Sequence, residues 1–248
     1  MLDKRNVLIT GASRGIGAAT ARLLAKHGAA VAVNYVNNSG AAERVVNEIL
    51  STGGRAMAVK ADVRVHEDVE AMVKTVEEQL GPIDTLVLNA SIMFPITSFL
   101  NYAWEDFEAK VMGEMKAAFY CVKAVVPGML ERKKGCIVGV SSGLSRHPGF
   151  GFCAHSTAKS GLDALMKSLA FELGPAGIRV NTVAPGLTIT DATAGLPPQQ
   201  KEMMASMTPL RRNALPEDVA GAILMLVREE AGFVTGNYVT VDGGMQML

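Results

Sequence analysis

Seven short runs rich in apolar and β-branched residues, at 6–10, 30–35, 55–61, 84–88, 135–141, 178–184 and 238–241, alternate with stretches of helical periodicity at 16–27, 40–52, 66–80, 103–131, 156–173 and 217–229. No other feature constrains the fold as much. A strand that continues through a helix into another strand returns to the same sheet as a parallel neighbour, by a right-handed crossover. Runs such as Leu86-Val87-Leu88 show no polar alternation, as expected when helices cover both faces of a parallel sheet. The expectation is an α/β fold: a doubly wound, parallel, seven-stranded sheet in three α/β/α layers. With 248 residues the chain suits a single domain over 1–248. The rhythm breaks only between Pro185 and Pro216, which reads as irregular; a loop at about 186–215, with Met203, Met204 and Met207, is expected to cover substrate.

Composition removes several classes of function. Apolar residues make up 49%, and Lys+Arg balances Asp+Glu at 24 each, which argues against disorder and a basic nucleic-acid surface. No apolar run reaches the ~18–20 residues that cross a bilayer. Residues 1–6 lack the pattern of a signal peptide, so a cytoplasmic protein without membrane partners is expected. Cys121, Cys136 and Cys153 have neither disulfide nor metal spacing, and no metal is expected.

The first β-rich run ends in TGASRGIG, residues 10–17, and enters a helix. Gly11, Gly15 and Gly17 would let the backbone turn tightly against a pyrophosphate. Ser13, Arg14 and Ile16 would present N–H groups at the positive end of the helix dipole. The spacing suits the dinucleotide turn of a Rossmann-type sheet, and a tight strand-to-helix connection without a ligand is the alternative.

Other motifs follow in order: Asp62-Val63 after the third run, Leu88-Asn89-Ala90-Ser91 after the fourth, Ser141-Ser142 after the fifth, Lys159 in a helix, Asn181 to Gly186 around the sixth, and Val241-Asp242-Gly243-Gly244 near the end. Together with the glycine turn they resemble the short-chain dehydrogenase/reductase family over nearly the whole chain, with a general likeness to its 3-oxoacyl-thioester reductases. The resemblance implies a nicotinamide dinucleotide whose adenine lies at Asp62 and Val63. It implies further contacts at Asn89, Ala90, Ser91, Pro185 and Gly186, ribose contacts at Tyr35 and Lys159, and a carboxamide held by Thr188 and Thr190. It also implies a homotetramer and a small or thioester-linked carbonyl substrate, with an acyl carrier protein as a partner. Arg132-Lys133-Lys134 could dock such an acidic carrier, or could simply be a solvated helix end.

Where NAD-preferring sites carry an acid after the second strand, this chain has Asn34-Tyr35. With Arg14, Asn37, Asn38 and Ser39 nearby, a 2′-phosphate is accommodated, and NADP is expected.

Members of the family reduce a carbonyl with a Tyr donor, a Lys four residues later, a Ser and an Asn. Counting back from Lys159 puts His155 in the place of the Tyr, and Ser142 thirteen residues before it is retained. The Asn position, ten residues after Trp104 and five before Phe119, holds Glu114. The set therefore reads Ser142, His155, Lys159 and Glu114. Lys159 should disfavour imidazolium while Glu114 favours it, so the two substitutions could compensate and poise His155 as an acid near neutrality. An imidazole reaches about 2 Å less far than a phenol, so a shifted substrate or a bridging water would be needed. Two alternatives stand beside this one: a catalytically weak paralogue that stabilises an active relative in a mixed oligomer, and a non-redox acid/base enzyme. Tyr102 is the least implausible replacement donor.

Overall fold

The computed structural model describes residues 1–246. Seven strands, β1 (Asn6–Ile9), β2 (Ala30–Tyr35), β3 (Arg55–Lys60), β4 (Thr85–Leu88), β5 (Gly135–Val140), β6 (Ile178–Pro185) and β7 (Tyr238–Val241), form one all-parallel sheet ordered β3-β2-β1-β4-β5-β6-β7. The helices are α1 (Gly15–Lys26), α2 (Ser39–Ser51), α3 (His66–Leu80), α4 (Trp104–Arg132), α5 (Cys153–Leu173), α6 (Pro198–Met207) and α7 (Pro216–Val227).

β1 shows why three layers arise. Leu8 packs into a core built with α3, α4 and α5, whereas its neighbours Val7 and Ile9 point to the other face, into a core built with α1, α2 and α7. Side chains alternate across a strand, so an uninterrupted apolar run feeds both cores. Strand order reverses between β1 and β4, and a crevice opens at the carboxyl ends of strands at such a switch point. No described helix is long and apolar enough to cross a membrane.

Two differences from the sequence expectation bear on the site. α5 begins at Cys153 rather than 156, which puts His155 in the first turn of the helix. The stretch 186–215 is not irregular, because it contains α6. Pro198 stands at the first helical position, where its missing N–H costs nothing, so a proline pair that reads as a breaker starts a helix instead. α6 buries none of its residues. Of the three methionines only Met204 borders the cavity of about 420 Å³ that this segment shares with residues 240–246, while Met203 and Met207 are exposed.

Candidate dinucleotide cleft and catalytic cluster

Between β1 and α1 the chain turns on Gly11 (φ +61°) and Gly15 (φ +55°), a region that a Cβ makes costly. Three polar side chains hold the turn. The Asn34 carboxamide oxygen accepts from the Gly11 N–H at 3.0 Å. Asn89 Nδ2 donates to the carbonyls of Thr10 (2.9 Å) and Gly11 (3.0 Å). Thr10 Oγ1 accepts from the N–H groups of Asn89 (2.9 Å) and Ala90 (3.0 Å). The N–H groups of Ser13, Arg14, Gly15, Ile16 and Gly17 are left without an acceptor among the described residues, and Arg14 offers no side-chain cap. Five neighbouring donors at the positive end of α1 fit a pyrophosphate.

Sequence reasoning did not foresee Asn34 and Thr10 as supports of the turn. The available signal was a polar residue within the apolar run AVAVNY, because a buried amide must find partners.

Around this turn the expected contacts divide. Arg14 is exposed and makes no ion pair among the described residues, Asn37 is exposed, and Tyr35 is half-buried at the end of β2. Asn38 is committed to capping α2, accepting from the Ala41 N–H at 2.9 Å, and Ser39 is the first helical residue. Asp62 departs from expectation. Its carboxylate holds Arg64 at 2.6 Å, its N–H donates to Asp68 at 3.0 Å, and Arg64 keeps the carboxyl below its usual range. Val63 is buried in the core. An adenine reaching Asp62 would share its carboxylate with Arg64. Thr190 stands over the glycine turn, its Cγ2 3.5 Å from where a Cβ on Gly15 would be. Thr188 donates to the Gly186 carbonyl at 3.2 Å, so the chain leaving Pro185 folds back toward the cleft.

Glu114 and Lys159 do meet. Lys159 Nζ lies 2.9 Å from Glu114 Oε2 and donates to the Val140 carbonyl at 2.9 Å, leaving one N–H uncommitted among the described residues. Lys110, one turn before Glu114, also pairs with the carboxylate and donates to Ser91 Oγ (3.0 Å) and the Ile92 carbonyl (2.8 Å). Ser91 in turn donates to Glu114 Oε1 at 2.7 Å. Ser91 was expected at the cofactor; the structure ties it to this cluster.

The compensation expected at His155 fails. Burial, then Lys159 and Lys110, push its imidazolium down to about 3, and Glu114 opposes them without cancelling. The sequence argument weighed one ammonium against one carboxylate, whereas the structure has two ammoniums. The amino end of α5 acts in the same direction. The neutral ring stacks on Phe94, centroids 4.9 Å apart, and its Nδ1 is buried without a partner among the described residues. Because the folded chain resists a proton that the unfolded chain takes up near pH 6.5, this stability is complete above that pH and drains as pH falls toward 3. Thermal unfolding between pH 6.5 and 4 should therefore show a steeper decline for the parent than for His155→Phe, by ~5 °C over the interval. Parallel slopes would refute a neutral His155.

Ser142 Oγ accepts from the Leu144 N–H at 3.2 Å, and the Ser142 carbonyl accepts from the Tyr238 hydroxyl at 3.0 Å. Arg146 covers the Tyr238 ring at 3.6 Å, so β7 braces the Ser142 loop, a support not foreseen from sequence. Tyr102 donates to the Pro95 carbonyl at 2.9 Å, which commits the hydroxyl considered as a replacement donor. In the basic triplet, Arg132 donates to the Ile83 carbonyl and the exposed Lys134 pairs with Glu229.

A family model described as enoyl-(acyl carrier protein) reductase matches residues 11–246. A 3-oxoacyl-[acyl-carrier-protein] reductase of Synechocystis sp. is 42% identical over 250 residues, covering 100% of this chain and 99% of the relative. A protein of the same description from Staphylococcus aureus is 37% identical, covering 98% of each. An L-rhamnose 1-dehydrogenase (NAD(P)(+)) of Sphingomonas sp. is 39% identical, covering 99% of this chain and 97% of the relative. With the parallel sheet, the glycine turn and the retained Ser142 and Lys159, these matches extend over the whole fold, and the chain belongs to the short-chain dehydrogenase/reductase family.

Proposed function

We propose that this protein is an NADPH-dependent ketoreductase acting on a small or thioester-linked carbonyl, the second presented by an acyl carrier protein. The observation that carries the reading is the row of five unsatisfied N–H groups from Ser13 to Gly17, in the crevice whose flanking strands lead to the Glu114–Lys159 pair. The names of the relatives support the substrate class. Bound NADPH supplies a hydride. The glycine turn would hold its pyrophosphate and Thr188 and Thr190 its carboxamide, which leaves the remaining N–H of Lys159 to face the carbonyl oxygen. Arg14 would meet the 2′-phosphate, since β2 ends in Asn34 and Tyr35 without a carboxylate to repel it. Ser142 and a neutral His155 orient the carbonyl oxygen by hydrogen bonds, and Glu114 fixes Lys159. The expected setting is a cytoplasmic homotetramer.

One observation favours a second reading. His155 is held neutral, which suits a chain that binds dinucleotide and stabilises an active relative in a mixed oligomer. The two separate by assay with NADPH and a panel of 3-oxoacyl thioesters. The reductase consumes NADPH in proportion to product; the weak paralogue does not. Product without nucleotide consumption would indicate non-redox acid/base chemistry. Arg14→Ala should weaken NADPH binding ~10-fold or more while leaving NADH unchanged, the loss of a charge-assisted contact. An equal loss for both nucleotides would remove Arg14 from the 2′-phosphate.

A further inference from the structure

We infer that Ser91, Lys110 and Glu114 form a proton path from solvent to Lys159, with Lys110 as its reservoir. The inference rests on the reductase reading above and answers a question that reading leaves open. A carbonyl that takes up hydride also needs a proton, and the neutral His155 has none to spare.

Lys110 was absent from the expected site. Its side chain is 0% exposed, and all three of its N–H donors are used, on Glu114 Oε1, Ser91 Oγ and the Ile92 carbonyl. Ser91 accepts from Lys110, donates to Glu114 and is itself exposed beyond the end of β4. Glu114 Oε2 reaches Lys159. Hydrogen bonds thus run unbroken from the hydroxyl of an exposed serine to the Lys159 ammonium. Two side chains build this string: the Ser91 hydroxyl, which both accepts and donates, and the Glu114 carboxylate, whose charge draws in two ammoniums.

The electrostatics suit a reservoir. Two ammoniums share one carboxylate, so the buried cluster carries a net positive charge that losing one proton relieves. Lys110 faces Glu114 on its own helix and Lys159 and His155 on α5. From the segment after β4 it meets only neutral groups, Ser91, the Ile92 carbonyl and the Phe94 ring at 4.6 Å. Burial, with Lys159 helping and Glu114 resisting, brings Lys110 down to about 8.

The step balances. As hydride adds to the carbonyl carbon, an N–H bond of Lys159 breaks and the new O–H bond of the alcohol forms. The Glu114 carboxylate takes a proton from Lys110 at Oε1, and the carboxylic acid so formed turns that O–H toward Lys159, gives up the proton and becomes a carboxylate again. Lys110, now a neutral amine, regains a proton from the Ser91 hydroxyl as that hydroxyl takes one from water. One proton has entered from solvent, and all four groups are restored.

Two measurements test the path. In the apoprotein labelled with ¹³Cε-lysine, the Lys110 signal, assigned by its loss in Lys110→Arg, should titrate near pH 8. A Lys110 protonated beyond pH 10 overturns the proposal whatever the enzyme turns over. In the holoenzyme, Ser91→Ala should lower kcat ~10-fold or more with KM for NADPH and thioester held within twofold, and Ser91→Thr should restore it. An unchanged kcat in Ser91→Ala also overturns the path. Titration near pH 8 in a protein that consumes no NADPH would instead sink the reductase reading and leave the reservoir standing.

Discussion

Glu114→Gln will lose turnover by ~10²-fold or more and unfold ~10 °C below the parent. The carboxylate is 3% exposed and balances two ammoniums that are themselves 0% and 4% exposed. Replacing it with an amide keeps the volume but strands both cations. Removing one partner of a buried pair typically costs about 3–5 kcal/mol, mostly because the charge left behind stays desolvated. The second variant that makes this informative is Glu114→Gln with Lys110→Met, which deletes one stranded ammonium and should recover part of the lost stability without recovering turnover. pH supplies a further check on sign. Burial alone would raise the Glu114 carboxyl, but Lys159 and Lys110 outweigh it and hold it at about 2. Its contribution is therefore complete above the ordinary carboxylate range near 4.5 and drains as pH falls toward 2. The gap between parent and Glu114→Gln should narrow over that acid window. A Glu114→Gln protein that melts with the parent at pH 7 would show that the carboxylate does not hold the cluster together.

The lysine that makes this effect so large was the part of the site least legible in the sequence. Glu114 and Lys159 could be found by counting, because each occupies a position fixed by motifs on both sides. Lys110 lies in the stretch WEDFEAKVMGEMK, whose charges read as a solvated helix face. It is buried only because the segment after β4, carrying Ser91, Ile92 and Phe94, folds across α4. That packing is tertiary and leaves no periodic trace. The same blind spot produced the error at His155, where a charge balance struck from the sequence lacked one of its cations.

Legibility was highest where local chemistry and global topology agree. The strands of the sheet follow from apolar runs too short for helices, and the glycine turn from backbone angles that side chains oppose. It was lowest where one residue type serves opposite ends. Pro197 and Pro198 punctuate in most contexts, yet Pro198 opens α6. Asp62 has the position of a cofactor contact and also pairs with Arg64 two residues away, and no motif records that pairing.

Gly17→Ala should raise the Kd for NADPH ~10²-fold or more while leaving the sheet intact, a larger loss of binding than any single charge removal in the cleft. The added Cβ would stand 2.5 Å from Asn89 Nδ2 and 2.8 Å from both Ala12 Cα and the Gly11 carbonyl oxygen. Two of those three neighbours are backbone atoms of the turn itself and cannot yield as a side-chain tip would. The third belongs to the amide that ties β4 to the turn, and displacing it breaks the bonds to the Thr10 and Gly11 carbonyls, worth about 1 kcal/mol each. Stability therefore falls modestly, but the N–H groups from Ser13 to Gly17 lose their common aim, and binding depends on all of them converging on one anion. Gly221→Ala is the matched control, since a Cβ there meets nothing within 4 Å and alanine favours the interior of α7. Fluorescence titration with NADPH and far-UV circular dichroism on the two variants separate the effects. Saturable binding by Gly17→Ala at the parental Kd would mean that the turn does not carry the pyrophosphate, because no arrangement of that backbone accepts the methyl group and keeps its five donors where they are.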